Sequence, residues 1–158
     1  MAIESDSLSL HMTLQLPVPP EQIYAAWIDS IGHRDFTGGN AHIDPRQGGN
    51  FSAWDGYISG ILLKLEPDHR IVQSWRTTDF HPLDPSSMVE ILLEANEDGT
   101  LLTLNQTEIP KGQAEKYKQG WQEFYFVPML GYFTIKAEEA KRDLTQLDDL
   151  DGTVRDQD

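Results

Sequence analysis

The chain has 158 residues, a length that suits one domain burying roughly 70% of its unfolded surface. Its 26 acidic and 12 basic residues leave a formal charge of −14, which repels phosphate backbones and anionic headgroups and argues against a nucleic-acid partner. It contains no cysteine, so disulfides and thiolate chemistry are excluded. The start Met1-Ala-Ile-Glu-Ser-Asp has neither the basic end nor the apolar core of a signal peptide. No run approaches the roughly 18 apolar residues of a membrane span. A soluble, cytoplasmic protein without membrane insertion is expected.

In chain order, residues 8–16 alternate: Leu8, Leu10, Met12, Leu14 and Leu16 on one side, Ser9, His11, Thr13 and Gln15 on the other. That period of two predicts a strand with one wet face. Pro17, Pro19 and Pro20 end it, and Pro20 opens a helix over 21–29 with Ile23 and Trp27 on one face. Ser30 is expected to cap a second short helix. The glycine pairs Gly38-Gly39 and Gly48-Gly49 bracket an extended segment at 41–44, after which a meander is expected.

Trp54-Asp55-Gly56-Tyr57 holds the Asp-Gly pair of two-residue hairpin turns, where the second central residue must tolerate positive φ. Pro67-Asp68 marks the next reversal. Between them, water-facing Lys64 and Glu66 place Ile61, Leu63 and Leu65 inward by the period of two. In the strand 70–78, inward Ile71 and Trp75 carry Gln73 inward with them. Val89, Ile91, Leu93 and Ala95 then alternate with Met88, Glu90, Leu92 and Glu94. After a turn at Glu97-Asp98-Gly99, Leu102, Leu104 and Gln106 share one face of the last strand.

Pro110 stops the sheet, and 116–142 is predicted as one helix of about 40 Å. Trp121, Phe124, Tyr125, Phe126, Val127, Met129, Leu130, Tyr132, Phe133 and Ile135 surround it on nearly all sides, so most of its circumference must be covered. Pro128 is expected to kink it. Residues 1–145 read as a single domain and 146–158 as an acidic, disordered tail.

Strand, two short helices, antiparallel meander and one long C-terminal helix predict an α+β helix-grip fold, a strongly bent antiparallel sheet wrapped around that helix. The chain resembles the family typified by the C-terminal domain of the activator of the heat-shock-protein-90 ATPase. That family lies within the superfamily of START domains, the birch-pollen allergen and polyketide cyclases. The resemblance rests on Ile23-Tyr24-Ala25-Ala26-Trp27, Phe36-Thr37-Gly38, Gly48-Gly49-Asn50-Phe51, Gly56-Tyr57-Ile58-Ser59-Gly60, Arg70 to Arg76, Ile109-Pro110 and Gly120 to Tyr125. It implies the START-like fold but no single activity, since members bind lipids, hormones or polyketides, or assist a chaperone.

Four tryptophans, Trp27, Trp54, Trp75 and Trp121, serve either as ordinary core packing or as the aromatic wall of a ligand cavity. Inward Gln73 and Gln106 each need a hydrogen-bond partner, either a buried water or a ligand, or cost about 1 to 3 kcal/mol. His11, His33, His42, His69 and His81 lack metal-ligand spacing, so no metal and no cofactor is expected. No nucleophile triad, phosphate loop or dinucleotide fingerprint occurs, and no catalytic residue is assigned.

The leading expectation is a non-enzymatic domain that takes a small apolar or amphipathic molecule between sheet and helix. Its lining is expected from Phe51, Ile61, Gln73, Trp75, Ile91, Trp121 and Tyr125, with Gln73 as polar contact. The alternative, implied by the resemblance, is an interaction module acting on a heat-shock-protein-90 type chaperone. The chain's length leaves no room for the separate N-terminal domain with which eukaryotic activators grip that partner. A cyclase or dehydratase, which would need a buried acid, base or imidazole facing the cavity, stands third.

Overall fold

The computed structural model describes the backbone of residues 8–157 and the side chains of 8–146. Seven strands form one antiparallel sheet: β1 (Leu10–Leu16), β2 (Ala41–Ile43), β3 (Asn50–Ala53), β4 (Ile58–Glu66), β5 (Arg70–Thr77), β6 (Ser87–Asn96) and β7 (Gly99–Thr107). Their order is β1-β7-β6-β5-β4-β3-β2, so the meander runs outward from β7 to β2 and the first strand closes the far edge. Two short helices, α1 (Pro20–Ile28) and α2 (Ser30–Thr37), follow β1. The chain ends in one long helical run: α3 (Ala114–Gly120), a π-helical segment (Trp121–Phe126) and α4 (Val127–Gln157). The sheet is curved and the whole is the expected helix-grip α+β fold.

Local chemistry explains most of these boundaries. Pro20 stands in the first turn of α1, where its missing N–H costs nothing. The cap of α2 is Asp29, one residue before the serine expected there. Its carboxylate accepts from Gly32 N at 2.8 Å, while the Ser30 hydroxyl accepts from Ile43 N at 2.8 Å and so ties α2 to β2. That contact, with Arg34 Nε donating to the Ala41 carbonyl at 2.7 Å, covers the free edge of a three-residue strand, as exposed edges require. The residues between β3 and β4 form the expected reversal, with Tyr57 N donating to Trp54 O at 3.1 Å around Asp55 (φ 57°) and Gly56 (φ 86°).

β4 departs from the expected register. Leu62 is the buried residue, whereas Ile61 and Leu63 are 39% and 42% exposed. A bulge between Leu62 and Lys64 inserts one extra residue opposite β5: Leu62 pairs with Gln73, but Leu65 pairs with Ile71. Leu65 therefore packs against the core as expected, and every residue before the bulge has the opposite parity. Elsewhere the alternation is regular, with Ile71, Gln73 and Trp75 of β5, Val89, Ile91 and Leu93 of β6, and Leu102, Leu104 and Gln106 of β7 buried.

The long helix is also built differently from a simple proline kink. Six residues before Pro128 wind as π-helix, with Val127 N bonded to Gln122 O. One extra residue in the turn widens it next to the proline, which cannot donate. As a result Trp121, Tyr125, Phe126, Met129 and Phe133 are all buried, while Phe124, Val127, Leu130 and Ile135 stay exposed. The expectation that most of the helix is covered is thus cut back: the side with Phe124, Val127, Leu130 and Ile135 is open to solvent. The expected tail falls on 146–158, where only the backbone course of α4 is described, and only as far as Gln157.

Candidate functional site, an aromatic cleft beside the long helix

The core under the helix is a continuous aromatic stack. Trp27 stacks on Phe36 (5.8 Å) and Trp121 (6.4 Å), Trp121 meets Trp75 (5.5 Å) and Tyr125 (4.7 Å) at a tilt, and Trp75 meets Tyr117 edge-on at 5.0 Å. The two inward amides belong to this stack. Trp27 Nε1 donates to Gln73 Oε1 at 3.1 Å and Trp121 Nε1 donates to Gln106 Oε1 at 2.8 Å. Gln106 Nε2 donates in turn to Ser87 Oγ at 3.0 Å, and that hydroxyl donates to the Trp75 carbonyl at 2.6 Å. The expected partners, water or ligand, are therefore corrected to indole N–H groups of the protein. A buried donor and a buried acceptor satisfy one another.

Behind the stack lies a pair that sequence reasoning did not single out. His33 is buried, with Nδ1 2.9 Å from the Trp27 carbonyl and Nε2 2.8 Å from the Tyr125 hydroxyl. A carbonyl only accepts, so Nδ1 carries the proton, Nε2 is the acceptor and Tyr125 donates to it. Burial lowers the His33 pKa to about 4 against the partial support of the Trp27 carbonyl, and burial also pushes the Tyr125 phenol up. Both stay neutral across the physiological range. The available signal was helical spacing: His33, Phe36 and Thr37 lie on one face of α2 and all are buried.

At one end the stack opens into a cleft of about 560 Å³, a size typical of small-molecule sites. The helical wall carries Tyr117, Gly120, Trp121, Phe124 and Tyr125; the opposite wall is Trp54, Tyr57, Ile58 and Trp75. The polar rim holds Asp79, Lys116, Gln119 and Glu123. Asp79 Oδ2 accepts from Lys116 Nζ and from the Tyr57 hydroxyl, each at 2.7 Å. The two donors, Lys116 first, hold its carboxyl below the usual range. Tyr117 donates to Gln113 Oε1 and accepts from the Thr77 hydroxyl at 2.7 Å.

Of the seven expected lining residues, Trp75, Trp121 and Tyr125 face this cleft. Phe51, Gln73 and Ile91 are buried in the core and are not among the cleft's lining residues. Ile61 points away from the core for the reason of parity given above, so its assignment to the lining is corrected. Trp54, weighed with the other tryptophans as a candidate cavity wall but left out of the expected lining, joins Tyr57, Tyr117 and Phe124, which sequence reasoning missed; they come from a turn and from two separate turns of helix. No periodicity connects them. Among the described residues no group of three or more histidine, aspartate or glutamate side chains is placed to hold a metal ion, and no helix is long and apolar enough to cross a membrane.

The fold and its lateral aromatic cleft define a START-like helix-grip domain. The chain belongs to the family described as activator of Hsp90 ATPase homolog 1-like protein, whose model matches residues 17–129. It is 29% identical over 107 residues to the activator of 90 kDa heat shock protein ATPase homolog 1 of Homo sapiens, and 25% identical over 140 residues to homolog 2 of Mus musculus. These alignments cover 68% and 89% of this chain but only 31% and 42% of those relatives, so the chain spans less than half their length. The crystal structure of an HSP90 activator from Plasmodium falciparum superposes with a TM-score of 0.68 at 30% identity, over 75% of this chain and 91% of that one.

Proposed function

We propose that this domain is an interaction module that acts on a chaperone ATPase of the heat-shock-protein-90 type. The observation that carries this reading is the 30% identity across 91% of the solved chain of the Plasmodium falciparum HSP90 activator. A surface suited to such a role is available on the long helix. Phe124, Val127, Leu130 and Ile135 are 43–59% exposed on its solvent side, an apolar stripe of the kind that marks interaction faces. The high negative charge favours a basic partner surface and speeds encounter with it. ATP turnover of the source organism's own chaperone, measured with and without the protein, is expected to rise. Val127→Asp, which alters only an exposed position, should lose most of that rise while keeping the native melting temperature. Unchanged turnover at saturating protein would reject the proposal.

A second reading is favoured by the cleft. An apolar, tryptophan-walled space of about 560 Å³ supports binding of a small apolar or amphipathic molecule, and the closed aromatic core beside it supplies a rigid floor. Native mass spectrometry of the purified protein is expected to reveal a co-purified ligand, and Trp121 or Trp54 fluorescence should respond to its removal.

A further inference from the structure

Trp54 combines three features found in none of the other tryptophans. Its backbone is left-handed, with φ 54°, a conformation that costs a bulky residue about 1 to 3 kcal/mol and persists only where the surroundings enforce it. Its ring lies on Gly39, where an added Cβ would come within 2.6 Å of Cε3, so the seat under the indole exists only because that residue has no side chain. Its Nε1 is buried with no hydrogen-bond partner, alone among the buried side-chain nitrogens and oxygens of the described residues. The Tyr125 hydroxyl, which donates to His33 and feels the Trp54 side chain, does not meet the indole N–H in hydrogen-bonding geometry. The donor of this cleft-lining residue therefore stands unmet, a desolvation cost that an acceptor would recover.

The geometry points to a ligand-acceptor site at Trp54: the cleft takes an uncharged, flat apolar molecule carrying one hydrogen-bond acceptor, such as a ketone or ether oxygen, which accepts from Trp54 Nε1. This rests on the small-molecule reading of the cleft and specifies which molecules it selects. The flat shape follows from the walls, since Trp121, Tyr125 and Tyr117 present ring faces and edges to the cleft. The absence of charge follows from the apolar walls, where a charge would lose its water without gaining a partner, and from the rim, which opposes an anion in particular. Asp79 and Lys116 neutralise each other at 2.7 Å, and the remaining Glu123 and the net charge of −14 oppose an anion. Phe124 meets the Trp54 ring edge-on at 5.5 Å and is 53% exposed. It is the most exposed aromatic residue of the wall, and its displacement brings the acceptor to the indole.

The test uses two probes of nearly equal shape, 1-acetylnaphthalene with an acceptor oxygen and 1-ethylnaphthalene without one, titrated into 15N-labelled protein. The ketone is expected to bind about fivefold tighter, the worth of one ordinary net hydrogen bond, and to shift the Trp54 indole N–H resonance, which the hydrocarbon leaves nearly in place. Trp54→Phe should abolish the preference, so that ketone and hydrocarbon bind equally, with a native spectrum. Gly39→Ala, which displaces the indole without removing it, should weaken the preference in the same direction. Equal affinities with an unmoved Trp54 indole, or a ketone preference that survives Trp54→Phe, would overturn the acceptor site and leave the cleft reading standing. Failure of both probes to bind up to their solubility would remove the cleft reading and this inference with it.

Discussion

The four tryptophans divide between two regions that share a wall and obey opposite rules. In the closed stack, Trp27, Trp75 and Trp121 are each 3% exposed, their rings overlap, and the indoles of Trp27 and Trp121 each find a glutamine carbonyl. At the open cleft, Trp54 is half-buried, its backbone is held left-handed, and its N–H has no acceptor. The first region has every polar group matched and contributes stability. The second holds strain and an unmet donor, the condition of a surface shaped for something other than itself.

The contrast is broken most severely from inside the stack. Trp121→Ala removes the ring that contacts Trp27, Trp75 and Tyr125 and leaves the Gln106 carbonyl unpaired, so a loss of about 3 to 5 kcal/mol is expected. Urea unfolding measures it, and a loss below about 1 kcal/mol would mean that the stack is not the centre of the core.

Next in size is the pH dependence set by His33. Its folded pKa near 4 lies below the usual value of about 6.5, so between these values the unfolded chain binds a proton that the folded one excludes. Stability is full above about pH 6.5 and falls as pH drops toward 4, by about 3 kcal/mol in all. Chemical denaturation across this range should show that slope. In His33→Phe, which cannot titrate, this contribution should vanish, although the Tyr125 hydroxyl loses its acceptor.

The smallest effect sharpens the comparison directly. Gln106→Leu leaves the Trp121 N–H buried and unpaired, creating a second unmet indole at a cost of about 1 to 3 kcal/mol. Trp54→Phe removes a donor that has no partner, and should cost less than Gln106→Leu when the two are measured side by side. The reverse order would mean that the Trp54 N–H is satisfied in solution by the protein itself.

Most of the strands were legible because their signals are local. Alternation in β1, β5 and β7 follows from the period of two, and the Asp55-Gly56 reversal from a glycine where the turn needs positive φ. The register of β4 was not legible, since a bulge at Leu62–Lys64 reverses parity without changing composition. The π-helical segment was equally hidden: Pro128 announces a disturbance, but whether the helix kinks or widens depends on which rings the sheet accepts. Of the cleft, Trp75, Trp121 and Tyr125 could be read from inward positions on regular elements, whereas Trp54 could be read only as one of four tryptophans weighed as a cavity wall, and Tyr57 only as a turn residue.

By itself the sequence determined the order of elements, the inward faces of most strands, the turn chemistry and the family. These depend on near neighbours and on the length of apolar runs. Only the tertiary structure decided that Gln73 and Gln106 answer indoles, that His33 serves Tyr125, and that the indole of Trp54 has no answer. Each is a contact between residues 15 to 92 positions apart or the lack of one, and hydrogen bonds depend on distances of tenths of an ångström that only the packed chain fixes.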